Sequence, residues 1–192
     1  MDDKRFDPKK LHKLNNSDRL LDLPPQYIWE KLNLPYTETS TFIDIGAGTG
    51  FFSIPFADYI KKGRLFACDI SDIMIDWMKK NISSKYPNII PLKMEEYSIP
   101  LENEVADLVF MINLHHEINE PELLLKESYR LLKCKGKIFI ADWKKEDMMQ
   151  GPPTQVRCEP EQVEKQMIDA GFIHVIQFIE LPKHFLIMAY KV

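Results

Sequence analysis

Short apolar runs alternate with helix-period stretches along most of this chain, and most apolar runs stop at a glycine or a polar residue. From Leu65 onward this alternation is the signature of a parallel sheet with crossover helices. The first strand is Thr41-Phe42-Ile43-Asp44-Ile45, followed at once by a glycine loop, Gly46 to Gly50. A helical run covers Phe51 to about Lys62, with Gly63 as its terminator. Arg64 to Cys68 reads as the second strand, ending at Asp69. Ser71 is placed to cap a helix from Asp72 to about Lys85. Asn88–Leu92 gives a third strand. Val105–Ile112 gives a fourth, apolar apart from Asp107, as expected of a strand buried on both faces. Pro121 suits the first turn of a helix ending near Lys133, and Gly136 leads into a fifth strand, Lys137–Ala141. After a polar stretch from Asp142 to Pro160, a helix from Pro160 to Ala170 is closed by Gly171. Two last strands, Phe172–Phe178 and Phe185–Tyr190, are joined by too few residues for a crossover, so they must form an antiparallel hairpin.

The N-terminal forty residues differ. A polar arm, Met1 to about Asp22, precedes Pro24-Pro25 and a short amphipathic helix carrying Tyr27, Ile28 and Leu32. The division expected is an arm or lid over 1–22 and one domain over 23–192. A chain of 192 residues can bury a proper core without disulfides or metals. Its net charge of −4, with both signs interspersed, argues against a bulk phosphate-binding surface, so no nucleic-acid partner is expected. Cys68, Cys134 and Cys158 are odd in number and show no CxxC spacing, which argues against a disulfide framework or a zinc site. The charged start, MDDKRFDPKK, has no apolar h-region and no run reaches transmembrane length, so a cytoplasmic monomer or homodimer without a membrane span is expected.

The strongest local signal is Asp44-Ile-Gly46-Ala47-Gly48-Thr-Gly50, which holds three of the chain's seven glycines. A strand turning sharply into a helix favours residues that tolerate positive φ. The free N–H groups of the following helix start attract an anion. The dinucleotide fingerprint needs its third glycine three positions after the second, and Phe51 stands there. A nicotinamide-type oxidoreductase therefore fits less well. Asp69, at the end of the next strand, has two readings: a carboxylate that accepts bonds from vicinal ribose hydroxyls, or an acid favoured by a helix dipole.

These residues together resemble the class I S-adenosylmethionine-dependent methyltransferases, most of all the small-molecule branch similar to the ubiquinone/menaquinone-biosynthesis enzymes. The resemblance covers about Asp22 to Val192 and implies a seven-stranded α/β sheet of order 3-2-1-4-5-7-6 with an antiparallel last strand. By it, Asp44, Gly46, Ala47, Gly48 and Gly50 line the cofactor's methionine end, Asp69 holds the ribose, and Ile70 packs on adenine. Met94-Glu95-Glu96 falls where the family has a Gly-Asp-Ala-type turn, which gives Glu95 the adenine amino group, although the Gly and Asp are absent. Asn113 ends the fourth strand near the cofactor. Leu131-Leu-Lys-Cys134-Lys-Gly136 resembles the family's turn before the fifth strand, with Cys134 in place of the usual proline. The implied product is S-adenosyl-L-homocysteine.

Methyl transfer from a sulfonium needs positioning above all, which supplies on the order of 7–11 kcal/mol. A protic acceptor also needs a base. His115 and His116, after the fourth strand, are the candidates, with His116 favoured; the alternative is that either bonds loop backbone. Trp143, Tyr27 and Phe51 are candidate substrate walls, or core packing. Arg157 either clamps an anionic substrate or anchors its loop. The arm either folds over a bound ligand or is a loose terminus. The function expected is methyl transfer to a small molecule. The alternatives are an NAD-type oxidoreductase and a non-catalytic module that keeps the fold.

Overall fold

The computed structural model describes residues 11–33 and 37–192. Residues 1–10 of the arm lie outside the described residues. A seven-stranded sheet of order β3-β2-β1-β4-β5-β7-β6 forms the centre. Its strands are β1 (Thr41–Ile45), β2 (Arg64–Asp69), β3 (Ile89–Lys93), β4 (Ala106–Ile112), β5 (Leu132–Trp143), β6 (Ile173–Phe178) and β7 (His184–Tyr190). Pairing is parallel from β3 through β5, while β7 runs antiparallel to both β5 and β6. Fold class and terminal hairpin are as the pattern predicts, and the strand order is the one that the family resemblance implies.

Alternation along the strands sorts the two faces. Phe42, Leu108, Phe110, Ile112 and Phe139 point to one side, where α3 (Pro25–Leu32), α4 (Ser53–Ala57) and α5 (Asp72–Asn81) cover them. Ile43, Ile45, Val109, Met111, Ile138 and Ile140 point to the other, under α6 (Pro121–Leu131) and α7 (Pro160–Asp169). On the first face Phe56 of α4 packs on Phe110 and Phe139, with centroids 4.7 and 5.5 Å away. Such offset aromatic pairs contribute about 0.5–1.5 kcal/mol each beyond area burial. Ile28 and Leu32 of α3 are fully buried in the same cluster, as the amphipathic spacing predicts.

Four local expectations need correction. The helix after the glycine loop spans only Ser53–Ala57, not Phe51 to Lys62. Pro55 has no N–H to donate, and the chain tightens instead through Tyr59 N–H to Phe56 O and Ile60 N–H to Ala57 O. Gly63 is therefore no helix terminator; a Cβ there would lie 2.0 Å from the Ser40 carbonyl oxygen, so it permits two backbones to touch. Ser71 stands at the N-cap of α5 without a side-chain cap bond, and α5 ends at Asn81, where the chain turns to bury Ile82. Strand β5 starts earlier and ends later than Lys137–Ala141, with a register shift against β4 between Ala106 and Leu108. Its extension to Trp143 carries Asp142 and Trp143 to the carboxyl edge of the sheet.

The arm's described part forms two short helices, α1 (Leu11–Leu14) and α2 (Asp18–Asp22). Asp22 pairs with Lys183 at 2.8 Å, and the Lys183 ammonium also donates to Gln150 Oε1 at 2.5 Å. One lysine thus ties the arm, the loop after β5 and the terminal hairpin together.

Candidate functional site

A cavity of about 1360 Å³ opens at the carboxyl ends of β1, β2, β4 and β5, where ligands bind in open α/β sheets. One wall is the glycine loop. Gly46, Gly48 and Gly50 take φ of +70°, +57° and +71°, which glycine adopts without strain. This curls the loop so that Gly46 and Ala47 N–H both donate to the Cys68 carbonyl, and Gly48 N–H donates to Asp69 Oδ2 at 2.8 Å. The other Asp69 oxygen accepts from Ser71 N–H, also at 2.8 Å. Burial pushes the Asp69 carboxyl above its ordinary range, and those backbone donors work against the shift. Asp44 is more deeply enclosed. Burial lifts it to about 7, against a 2.6 Å bond from Ser53 Oγ.

Asp44, Gly46, Ala47, Gly48, Asp69, Ile70, Met94 and Asn113 line the cavity, as does Phe51. Asn113 sits in the left-handed region at φ 55°. Its Oδ1 is buried without a partner, as is Thr49 Oγ1 in the glycine loop. Buried polar atoms left open at a cavity wall are what a polar ligand would satisfy. Backbone donors of Gly48, Ser71 and Ile70 act on the Asp69 carboxylate, and a carboxylate can accept about four bonds in all, so capacity remains for a ligand hydroxyl. Ile70 and Met94 supply apolar surface next to it. The residues present fit S-adenosylmethionine: Asp69 and Ile70 would hold its nucleoside end and the glycine loop its amino-acid end.

The turn after β4 and the end of β5 hold the candidate chemistry. His116 and Glu117 lie in the 3-10 turn His115–Glu117 after β4. His116 Nδ1 is 2.7 Å from Asp142 Oδ1, and its backbone N–H donates to Asp142 Oδ2 at 3.0 Å. Burial alone would lower His116, but the Asp142 charge and hydrogen bond, with Glu117, outweigh it and raise its pKa above the ordinary histidine value. Burial would raise Asp142; His116 and two backbone donors overcome it and hold the carboxylate ionised. Nδ1 is thus engaged and Nε2, 3.7 Å from Glu117 Oε1, is the nitrogen left for other work. Trp143 also lines the cavity; behind it packs His184, whose two ring nitrogens are buried without partners and whose pKa burial pushes down to about 4.

Five expected site residues fall elsewhere. Gly50 is buried away from the cavity, and a Cβ there would meet Ile82 Cδ1 at 2.8 Å; it serves the packing of α5. Glu95 is turned aside by a bridge to Ser98, and Glu96 takes the cavity position instead. His115 bonds Gln166 of α7 at 2.8 Å through Nε2 and does not reach the cavity. Tyr27 lies at the rim of α3, its hydroxyl donating to Glu180. Arg157 is buried and its guanidinium donates to the carbonyls of Lys144, Glu146, Gln150 and Pro152, so it anchors the loop. That loop lines the cavity with Gln150, Gly151, Pro152 and Pro153. Sequence reading missed Asp142, which bonds His116, and Arg19, which lines the cavity from α2. Asp142 had a signal, for Ile138-Phe-Ile-Ala-Asp142 repeats the pattern of Leu65-Phe-Ala-Cys-Asp69, an apolar strand ending in an acid at the carboxyl edge.

A hairpin-ended sheet of this order, with a glycine loop followed by an acid at the end of β2, defines a class I S-adenosylmethionine-dependent methyltransferase domain. Comparison with known proteins agrees. Residues 43–140, just over half of the chain, match the methyltransferase-domain family, and the chain belongs to it. A solved structure described as a SAM-dependent methyltransferase from Aquifex aeolicus superposes with a TM-score of 0.91 at 30% identity, over 98% of this chain and 100% of that one. An uncharacterized methyltransferase of Schizosaccharomyces pombe is 37% identical over 62% of this chain and 45% of its own length. A tRNA(Phe) (4-demethylwyosine(37)-C(7)) aminocarboxypropyltransferase of Methanocaldococcus jannaschii is 28% identical over 62% of this chain and 46% of its own length. The chain spans less than half the length of these two curated relatives. The domain's cofactor is S-adenosylmethionine. Among the described residues, no helix is long and apolar enough to cross a membrane.

Proposed function

We propose that the protein transfers a methyl group from S-adenosylmethionine to a small, protic acceptor, with His116 as the base that removes its proton. The observation that carries this reading is the His116–Asp142 pair, 2.7 Å apart, whose histidine lines the cavity that the glycine loop also lines. The cofactor, when bound, supplies an electrophilic methyl carbon on a sulfonium with a good leaving group. The chain's own task is to hold the acceptor, exclude water and take its proton. Asp142 keeps the Nδ1 proton in place, which leaves Nε2 as acceptor, and its charge stabilises the imidazolium formed when the acceptor's proton arrives. Trp143, Pro152 and Pro153 give the acceptor an apolar wall, with Gln150 as a polar contact. The arm residues Lys13, Leu14, Asn16 and Asp18 close one side of the same cavity, which supports a lid role for the arm.

The tRNA-directed name of one relative raises a nucleic-acid acceptor as a second reading. The cavity lining holds six acidic residues, Asp18, Asp22, Asp44, Asp69, Glu96 and Glu117, against two basic ones, Lys13 and Arg19, and this balance with the net charge of −4 favours the small molecule. The test is transfer of labelled methyl from S-adenosylmethionine to a panel of phenols, thiols and heteroaromatic N–H compounds, with bulk tRNA as a parallel acceptor. Label on a small molecule, reduced by His116→Asn, supports the proposal. Label on tRNA alone replaces it with the second reading. Cofactor binding without transfer to anything tested would favour a fold kept for binding.

A further inference from the structure

His116 and Glu117 meet at the cavity in an arrangement that a base alone does not require. The Asp142 carboxylate accepts three N–H groups: His116 Nδ1 at 2.7 Å, the His116 backbone at 3.0 Å and the Trp143 backbone at 2.7 Å. An ionised carboxylate has no proton to give, so the Nδ1 proton belongs to the imidazole and neutral His116 carries a bare lone pair at Nε2. Glu117 Oε1 lies 3.7 Å from that nitrogen, too far for a hydrogen bond between the two. Both groups are acceptors, and both residues line the cavity. Their spacing is fixed by one short turn, which Glu117 N–H closes on the Leu114 carbonyl at 2.8 Å.

Two acceptors held side by side with little access to water are costly until a donor answers them. A hydroxyl or a thiol brings one proton and leaves one acceptor unanswered. A primary amino group brings two. At a hydrogen-bond length of about 2.9 Å, acceptors 3.7 Å apart subtend about 80° at a bridging nitrogen, so both N–H bonds stay at about 150° or straighter. A carboxylate accepts about four bonds, which gives Glu117 room for this one. The excess of acidic over basic side chains in the lining favours the same kind of ligand, rich in donors and poor in negative charge.

We propose that the methyl acceptor is a primary amine, its nitrogen held between His116 Nε2 and the Glu117 carboxylate. This rests on the methyl-transfer reading above and narrows its protic acceptor to nitrogen. With both N–H groups tied to the wall, the lone pair and the rest of the amine are left to face the cavity. In the transfer the N–CH3 bond forms as the CH3–S bond breaks, and the electron pair of the broken bond stays on sulfur as a neutral thioether. One N–H proton passes to Nε2. The positive charge of the sulfonium thus ends on the imidazolium, beside the Asp142 and Glu117 carboxylates.

The experiment is transfer of labelled methyl from S-adenosylmethionine by the full chain to matched pairs, benzylamine with benzyl alcohol and aniline with phenol, and to thiophenol. The amine of a pair should take the label in preference. An amine is the better nucleophile without any protein, so the preference counts only where Glu117→Gln removes it. That variant should cut transfer to the amine by about 10- to 100-fold, the range for hydrogen bonds to charged groups, and Glu117→Asp should recover part of the loss. S-adenosylhomocysteine affinity, by calorimetry, should hold within about twofold in both variants, which also establishes that they fold. A hydroxyl or thiol labelled ahead of the amine, and lost in His116→Asn, overturns the amine and leaves the methyl-transfer reading standing. An amine preference that survives Glu117→Gln overturns the bridge. Weaker S-adenosylhomocysteine binding by Glu117→Gln assigns Glu117 to the cofactor and overturns it as well. S-adenosylhomocysteine binding with label on none of the compounds overturns both readings together.

Discussion

The two sides of the cavity are made of different material. The cofactor side is one continuous stretch of chain from Ile45 to Phe52 with Asp69 beside it, and its shape is a matter of backbone: positive φ at three glycines and N–H groups already aimed. The acceptor side is assembled from side chains that come from the arm, the turn after β4, the end of β5 and the loop 144–157. Three of those are held by a buried partner: His116 by Asp142, Trp143 by His184, the loop by Arg157. A site built of backbone is insensitive to most side-chain changes around it. A site built of side chains depends on the residues standing behind the ones that touch the ligand.

The sharpest test of that difference is Asp142→Asn, which leaves every cavity-lining residue in place. It should lower turnover by about 10²- to 10⁴-fold, the usual contribution of a positioned base, with cofactor affinity unchanged by calorimetry. The pH profile gives a second readout. His116 must be neutral to accept a proton, so the rate rises with pH through its pKa. The Asp142 charge holds that pKa above the ordinary histidine value. Without the charge, burial dominates, so the acidic limb must move to lower pH while the plateau falls. A profile that keeps both its limb and its plateau would remove the pair from catalysis.

The same contrast explains what could be read from the chain beforehand. The strand segments, the glycine loop and the terminal hairpin follow from local periodicity and from connection lengths, which are properties of contiguous residues, whereas the strand order came from the family resemblance. Asp69 had two readings from its place at the end of an apolar strand, and the glycine loop before it favoured the ribose contact. Where the reading slipped, geometry across the fold decided. His115 and His116 are adjacent, but a 3-10 turn sends one towards Gln166 and the other towards Asp142. Glu95 and Glu96 differ by one step, and the bridge from Glu95 to Ser98 selects which faces the cavity. Arg157 had two readings, and only the loop's own carbonyls decide for anchoring. Arg19 carries no local signal at all, since its surroundings, Phe51, Phe52 and Asp44, are each more than twenty residues away.

On the cofactor side Asp69→Ala is the next largest effect. Loss of a carboxylate that accepts from ribose hydroxyls should weaken S-adenosylhomocysteine binding by about 1.5–3 kcal/mol, measured by titration. Because Asp69 also receives Gly48 and Ser71 N–H, Asp69→Asn serves as the companion, retaining one acceptor oxygen and losing less. The direction of the Asp69 shift adds a pH dependence. Burial raises its pKa, so affinity should be full at neutral pH and fall as acid protonates the carboxylate, starting above the usual carboxylate range. An unchanged affinity for Asp69→Ala would take the residue out of the site and leave the backbone alone to bind the nucleoside.

The smallest effect separates two glycines of one loop. Gly50→Ala forces a side chain into the left-handed region, at about 1–2 kcal/mol per residue, and sets a methyl 2.8 Å from Ile82 Cδ1, the movable end of a flexible side chain. Stability should therefore fall by about 1–2 kcal/mol, read as a lower midpoint in denaturant. Cofactor affinity should hold within about twofold, because the new methyl faces α5 and not the cavity. Gly46→Ala meets similar strain at φ +70°, and its methyl would press on Leu114, which lines the cavity beside Asn113. It should cost both stability and affinity. If Gly50→Ala also weakened the cofactor at unchanged midpoint, the third glycine would belong to the binding surface after all, and the division between a loop that binds and a loop that packs would have to be redrawn one residue further along.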